Sequence, residues 1–288
     1  MLRPAASLVL TAPLSALHGR AATSAPTAFN YAVLMVQRLS QGGSFDSAHV
    51  FPGGIIDAED HHAADVYGHC AIRETYEETG LLLTTPPPSR RPAAPVASFK
   101  DTCAALQVTP LQPRPLARWT TPRAQKRRFD TRFLALHIDQ PHLLSQLGRE
   151  RPQEREVARL DWIAPDQALG ANTRSEMPLY PPQAYLLHWL SRYTRWQDLV
   201  HAVAALDPLA AAATVEPVLC RRSDGKVVAL LPGDHTYPDP QISAFKADDA
   251  ALFATSLAAQ HRLEMVPAKA GGFNAVKLYA MAPNQPNL

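Results

Sequence analysis

The chain has few charged residues and few cysteines for its length. Charged residues make up 19% of the 288 positions, and the formal net charge is only +2. So small an excess gives no electrostatic reason to expect a nucleic acid or an anionic membrane as a partner. Cys70, Cys103 and Cys220 are far apart and lack CxxC spacing, so the sequence supports neither a disulfide framework nor a zinc site. We therefore expect an intracellular protein in a reducing compartment.

Long apolar runs are also missing. The longest mostly apolar stretch, residues 5–17, is interrupted by Pro13 and is shorter than the roughly 18 residues needed to cross a bilayer. Glycine is scarce beside proline, 13 against 27, which favours short elements joined by rigid loops. Apolar residues nevertheless make up 46% of the chain, enough for a substantial core.

The first part of the chain has no acidic residue before Asp46, whereas Arg3, Arg20 and Arg38 lie in it. An acid-free, arginine-containing start is typical of a mitochondrial presequence. The alternative is that residues 5–10 form the first strand of the fold. We favour the strand, because a second strand of the same style, residues 31–38, follows soon after it.

Apolar patterning predicts strands and helices in alternation along the rest of the chain. Predicted strands cover residues 31–38, 118–120, 129–137 and 154–162, and a hairpin around residues 223–225 joins 218–220 to 227–231. Predicted helices cover residues 65–79, 96–108 and 181–206, the last of them interrupted, with a further helix beginning near residue 165. Interleaved elements of this kind predict an α/β fold.

The helix predicted over residues 65–79 carries a cluster of carboxylates. At 100° per residue, Glu74, Glu77 and Glu78 fall within an arc of about 100°. Like charges so close repel one another, and a hard divalent cation that prefers oxygen ligands, such as Mg²⁺ or Mn²⁺, would remove that repulsion. Arg73 could neutralise part of the cluster and orient Glu74 or Glu77. The alternative is a solvated acidic helix face, and the helix alone does not decide between the two.

Two glycine-containing segments flank this helix: Phe-Pro-Gly-Gly at residues 51–54 and Gly-Leu at residues 80–81. With them the sequence resembles the Nudix hydrolase family, whose box reads Gly, five residues, Glu, seven residues, Arg-Glu-apolar-any-Glu-Glu-any-Gly-apolar. The matching residues are Gly54, Arg73, Glu74, Glu77, Glu78, Gly80 and Leu81. Thr75 stands where the box has an apolar residue. Five additional residues also separate Gly54 from Arg73, so the first box carboxylate is Asp60 or Asp65, depending on the end from which one counts.

A narrower resemblance is to the motif-19 branch of that family, which includes peroxisomal coenzyme A diphosphatases. It rests on the insertion in the box and on residues 3–7, 47–51, 128–133, 181–183 and 231–234. The resemblance implies a Nudix-type α/β/α sandwich with a mixed sheet over residues 3–172. It also implies a C-terminal α+β extension over residues 173–288, packed on that core. Only the final leucine of Pro286-Asn287-Leu288 fits a peroxisomal signal, so peroxisome and mitochondrion both stay open.

The activity that the resemblance implies is metal-dependent hydrolysis of the diphosphate bond in coenzyme A or an acyl-CoA. The products would be 3′,5′-ADP and (acyl-)phosphopantetheine. The alternatives are a Nudix diphosphatase for NADH or an ADP-sugar, and a non-catalytic nucleotide-binding module. A pure binder has no need for three clustered carboxylates, which favours an enzyme. The expected partner is a small molecule linked through a nucleoside diphosphate, with no nucleic acid and no membrane.

The resemblance also implies roles for individual residues. Glu74, Glu77 and Glu78, with the backbone carbonyl of Gly54, would hold Mg²⁺ or Mn²⁺. The catalytic set comprises Glu74, Glu77 and a glutamate shortly before Trp162, for which we favour Glu156 over Glu154.

Cations are expected to meet the phosphates of the substrate. Arg38 and Arg132 are the stronger candidates and Arg128 is the weaker one. A zinc site at His61, His62 and His69 is disfavoured, because no thiolate joins them.

Overall fold

Eight strands form the central sheet of the computed structural model, which describes residues 1–17, 26–39, 48–88, 98–150, 152–153, 157–237, 260–268 and 272–279. The strands of this sheet and of two smaller sheets are β1 (Leu2–Pro13), β2 (Tyr31–Arg38), β3 (His49–Val50), β4 (Gly53–Ile55), β5 (Thr84–Thr85), β6 (Thr109–Pro110), β7 (Arg114–Thr120), β8 (Arg128–His137), β9 (Val157–Ile163), β10 (Thr214–Val215), β11 (Val218–Arg221), β12 (Val227–Leu230), β13 (Arg262–Pro267) and β14 (Phe273–Tyr279). The helices are α1 (Val66–Thr79), α2 (Phe99–Leu106), α3 (Pro141–Leu144), α4 (Pro165–Thr173), α5 (Pro181–Leu190), α6 (Trp196–Ala204) and α7 (Pro208–Ala212), with 3-10 helices at Leu14–Ala16 and Ala58–His62.

Strand β1 occupies the middle of the central sheet, so the expected first strand is confirmed. The strands lie in the order β10, β7, β8, β1, β2 and β3, with β4 added to β1 and β9 added to β2. β1 runs parallel to β8 and antiparallel to β2 and β4, which gives the predicted mixed sheet. β1 also changes its neighbour along its length: residues 5–7 pair with β4 and residues 11–13 with β2. Along this edge of β1 the sheet therefore splits into two branches, one beginning with β2 and the other formed by β4. Gly53 and Gly54 lie in the β4 branch.

Helices cover both faces of the central sheet, as expected for an α/β/α sandwich. One face packs on α1 and α2, and its core includes Leu8, Leu10, Ile72 and Phe99. The opposite face packs on α4, α5 and α6 and on a second, antiparallel sheet of β11, β12, β13 and β14. Among the described residues, no helix is long and apolar enough to cross a bilayer.

Several predicted elements are confirmed. The interrupted helix over residues 181–206 is α5 followed by α6, and the helix near residue 165 is α4. The hairpin is β11 and β12, with Gly225 at a φ of 84° in its turn. Strands β13 and β14 have no counterpart in the sequence-based prediction. The burial of β14 is mostly intermediate and does not alternate between its two faces.

Asn172 joins α4 to the second sheet. Its side chain is buried, and its amide nitrogen donates to the carbonyls of Met177 and Phe273, at 2.8 Å and 2.7 Å. Its amide oxygen accepts from the backbone N–H of Val276 at 2.9 Å. The predicted boundary between residues 172 and 173 falls inside α4 and stays a prediction. The described residues on both sides of it share one core.

We predict that Asn172→Ala lowers the free energy of unfolding by about 2–4 kcal/mol, because it leaves buried backbone groups without hydrogen-bond partners. Urea unfolding measures the change. The matched control is Thr173→Ala at the exposed neighbouring position, where we expect a change within about 0.5 kcal/mol. Equal effects of the two substitutions would show that Asn172 does not join α4 to β14 in solution.

Candidate active site

Helix α1 carries the predicted carboxylates, and its ends are fixed by local signals. The Asp65 side chain accepts the backbone N–H of Gly68 at 2.9 Å and caps the first turn. Gly80 ends the helix in the left-handed conformation, at a φ of 75°, as predicted. Cys70, Ala71 and Ile72 are fully buried in the core that α1 shares with β1. The helix is thereby held in one position along its whole length.

Arg73 is the centre of the charged network on this helix. It is 5% exposed, and its Nη1 donates to Oε1 of Glu74 at 2.9 Å and to Oε2 of Glu77 at 3.1 Å. Its Nε and Nη2 donate to the two carboxylate oxygens of Asp60, at 3.0 Å and 2.8 Å. These contacts agree with the expectation that Arg73 neutralises part of the cluster, and they orient both Glu74 and Glu77.

The two candidates for the first box carboxylate, Asp60 and Asp65, have different contacts. Which of them matches the box position stays a prediction. Asp60 is fully buried and faces Arg73, whereas Asp65 caps α1. Asp60 lies in the 3-10 helix Ala58–His62, which we call the Asp60 helix. Burial by itself raises the pKa of Asp60, but hydrogen bonds from His69, Arg73 and the backbone of Asp57 outweigh it and hold the pKa well below its usual range. Asp60 is therefore an ionised partner for Arg73.

Glu74 lies directly against the backbone of Gly54. A Cβ atom built on Gly54 would overlap the carboxyl group of Glu74, so only glycine allows this approach. Burial raises the pKa of Glu74, and the charge of Glu77 raises it further, while Arg73 opposes both effects. Burial likewise raises the pKa of Glu77. These carboxylates are thus costly to ionise without more positive charge than Arg73 supplies.

Glu78 has a different hydrogen-bond partner from the other two glutamates. It is 6% exposed, and its Oε2 accepts the backbone N–H of Gly53 at 3.1 Å. Within the described part of the chain, no three His, Cys, Asp or Glu side chains converge as a group that could hold a metal ion. The structure therefore brings Glu74 and Glu77 together on Arg73 but not Glu78. In their chemistry, three carboxylates and a backbone carbonyl are the hard oxygen donors that Mg²⁺ and Mn²⁺ take.

The three candidate arginines have different surroundings. Arg38 is exposed at the end of β2, opposite Val157 of β9. Arg132 is also exposed, and its guanidinium lies 4.0 Å from the centre of the Tyr67 ring on the α1 side of the sheet. Arg128 donates to Glu216 at 2.7 Å and to the carbonyl of Thr121 at 2.9 Å. Its charge is therefore neutralised by a residue from the C-terminal part of the chain.

The predicted downstream glutamates, Glu154 and Glu156, lie outside the described residues. Their described neighbours are close to the site. The backbone N–H of Gln153 donates to the carbonyl of Glu78 at 3.1 Å, and Val157 pairs with Arg38. The role of Glu156 stays a prediction.

Two polar residues of α1 have contacts that the sequence-based prediction does not contain. Thr75, which replaces an apolar residue of the box, is fully buried and donates its hydroxyl to the carbonyl of Ala71 at 2.7 Å. His69 places its Nδ1 2.7 Å from Oδ1 of Asp60, whereas His61 and His62 are exposed. The position of His69 beside Arg73 could have been predicted from their spacing. Residues four apart on a helix share a face, and His69 precedes Arg73 by four.

Comparison with known proteins finds similarity to one family. The family model described as the NUDT19 Nudix domain matches residues 64–190. The human protein named acyl-coenzyme A diphosphatase NUDT19 is 28% identical over 82% of this chain and 80% of its own length. The chicken protein of the same name is 29% identical over 85% of this chain and 82% of its own length.

A solved structure agrees with this assignment at the level of the fold. The Nudix hydrolase from Alicyclobacillus acidocaldarius superposes with a TM-score of 0.50 at 22% identity, over 74% of this chain and 97% of that one. Together with the box residues gathered around Arg73, these matches make the chain similar to Nudix hydrolases of the NUDT19 branch, over residues 64–190 for the family model and over more than four-fifths of the chain for the two relatives.

Proposed function

We propose that the chain hydrolyses the diphosphate bond of coenzyme A or an acyl-CoA with the help of Mg²⁺ or Mn²⁺. The products would be 3′,5′-ADP and phosphopantetheine or its acyl thioester. The observation that carries the proposal is the similarity to relatives named acyl-coenzyme A diphosphatase over more than four-fifths of this chain. The box carboxylates on α1 support it, because they belong to the hydrolytic machinery that the family resemblance implies.

In the proposed site, Glu74, Glu77 and Glu78 hold the cation together with the carbonyl of Gly54. When bound, such an ion neutralises the diphosphate and makes a water molecule more acidic. Arg73 keeps Glu74 and Glu77 side by side, as its two hydrogen bonds from Nη1 indicate. Bringing a cation to them would favour their ionised forms, which burial opposes.

Hydrolysis also requires an acceptor for the proton of water. A water oxygen bonds to one phosphorus, the bridging phosphorus–oxygen bond breaks, and a carboxylate takes the water proton. Glu74 and Glu156 are the proposed acceptors. For Glu74 the support is its burial beside Gly54, which keeps the carboxyl group in one position.

The phosphates of the substrate need positive charge as well. Arg38 and Arg132 stay in the proposed set because each is exposed. Arg128 is the least supported of the three, since Glu216 already accepts from it. The charge of Arg123 is partly neutralised by the same residue, because its Nε lies 3.4 Å from the Glu216 carboxylate.

The first test is a substrate panel. We expect the protein with Mg²⁺ or Mn²⁺ to cleave coenzyme A and acyl-CoA in preference to NADH, ADP-ribose and an ADP-sugar. Mass spectrometry should identify 3′,5′-ADP among the products. Preference for NADH or an ADP-sugar would contradict the coenzyme A assignment. Turnover of none of them would favour a nucleotide-binding role.

The second test removes one proposed metal ligand. We predict that Glu77→Gln lowers kcat by about 10²- to 10⁴-fold, because the amide cannot replace a carboxylate in binding a hard cation or in proton transfer. The melting temperature should change little, since the Glu77 side chain is 40% exposed. The matched control is Glu176→Gln, an exposed glutamate after α4 that pairs only with Arg174 among the described residues. Unchanged turnover in Glu77→Gln would remove this residue from the site.

The third test concerns the close approach at Gly54. Gly54→Ala introduces a methyl group where the Glu74 carboxyl group lies, so we predict a decrease in kcat/KM of about 10- to 100-fold. Gly170→Ala on α4 is the control, because its added Cβ likewise meets the end of a flexible side chain, that of Arg174, which is not part of the proposed site. Steady-state kinetics with the best substrate of the panel measures both. Equal activity of the two variants would contradict the proposed contact.

A further inference from the structure

His69 contacts two other elements of the structure, the Asp60 helix and the start of α2. It lies on α1, one turn before Arg73, and its Nδ1 is 2.7 Å from Oδ1 of Asp60. Its ring packs edge-on against Phe99 at the start of α2, with ring centres 5.6 Å apart. The side chain is 16% exposed, so both contacts are largely shielded from water.

The direction of the hydrogen bond follows from the state of Asp60. The carboxylate is fully buried and ionised, so it can only accept. Nδ1 of His69 must therefore carry the hydrogen. Asp60 then accepts four hydrogen bonds, from Nε and Nη2 of Arg73, from the backbone N–H of Asp57 and from His69. These bonds use about as many acceptor positions as a carboxylate has.

The orientation of Arg73 depends on where Asp60 is held. The guanidinium is rigid and planar, so fixing its Nε and Nη2 on Asp60 also fixes where Nη1 points. Nη1 is the nitrogen that holds Glu74 and Glu77. A shift of Asp60 would therefore be passed directly to the two glutamates.

Asp60, which is the first box carboxylate when the box is counted from Gly54, is shorter by one methylene than the glutamate of the box. It reaches Arg73 from the Asp60 helix, whose own cap is Asp57. The hydrogen bond from His69 attaches this short carboxylate to α1 at a second residue, one turn from Arg73. Without the bond from His69, Asp60 would keep the hydrogen bonds from Arg73 and from the backbone N–H of Asp57 but would lose its second attachment to α1.

We propose that His69 is a positioning residue, which holds Asp60 so that Arg73 keeps Glu74 and Glu77 in their working arrangement. The inference deepens the proposed function, since it concerns the same site. It does not depend on which nucleotide is cleaved. It also has a readout that needs no turnover, the affinity of the protein for Mn²⁺.

The test compares substitutions that keep or remove the donor at the Nδ1 position. Asn places its amide nitrogen close to where Nδ1 lies, Gln places it further out, and Phe keeps the ring against Phe99 without any donor. We expect His69→Phe and His69→Gln to lower kcat by about 10- to 100-fold and to weaken Mn²⁺ binding about tenfold, with KM changed by less than about threefold. His69→Asn should retain kcat and Mn²⁺ affinity within about threefold of the unsubstituted protein.

The control is His61→Phe, an exposed histidine of the Asp60 helix, which should leave both measurements unchanged. Circular dichroism melting shows whether each variant folds, and His69→Gln replaces His69→Phe if the latter does not. Equal Mn²⁺ affinity in His69→Phe, His69→Gln and the control would overturn the proposal, as would an equal loss in His69→Asn and His69→Gln. If no substrate of the panel is cleaved, the function proposed above fails, whereas the Mn²⁺ series still decides the role of His69.

Discussion

The contact between Arg73 and Asp60 is the interaction on which the arrangement of the site depends. Both side chains are withdrawn from water, so each needs the other to compensate the cost of burying its charge. This contact uses Nε and Nη2 of the guanidinium and leaves Nη1 for the two glutamates. Removing Arg73 would leave the buried carboxylate of Asp60 without its cation, and removing Asp60 would take two hydrogen bonds from the guanidinium that holds Glu74 and Glu77. The pair is therefore a structural requirement of the site as well as part of its charge balance.

A second constraint comes from the backbone. β1 exchanges one neighbour for another along its length, and this opens the sheet where Gly53 and Gly54 lie. The absence of a side chain at Gly54 then lets the Glu74 carboxyl group reach the strand. Gly53 lies in the same strand, and its backbone N–H donates a hydrogen bond to the carboxylate of Glu78 on α1. Two adjacent glycines thus bring a strand and a helix close enough to share polar groups.

How much of this follows from the sequence depends on whether the signal is local. The ends of α1 could be predicted, because the capping residues Asp65 and Gly80 act within one turn of the helix. The choice between Asp60 and Asp65 could not, because both are acidic and only burial distinguishes them. The partner of Arg128 could not be predicted either, since Glu216 is 88 positions away along the chain. The contact of Glu78 with the backbone N–H of Gly53 depends on the path of β4, which an angular count on a helix does not contain.

The pairing of β1 has a consequence for how the molecule assembles. β1 precedes every other element, yet its long parallel partner is β8, and the facing residues Thr11 and His137 are 126 positions apart. Closing so long a loop costs chain entropy before any contact repays it, and folds rich in such contacts form slowly. Until β8 has been synthesised, that edge of β1 lacks its partner and exposes a strand that can pair with other chains. During synthesis, β2, β3 and β4 therefore all emerge before β8, the strand that completes the middle of the central sheet.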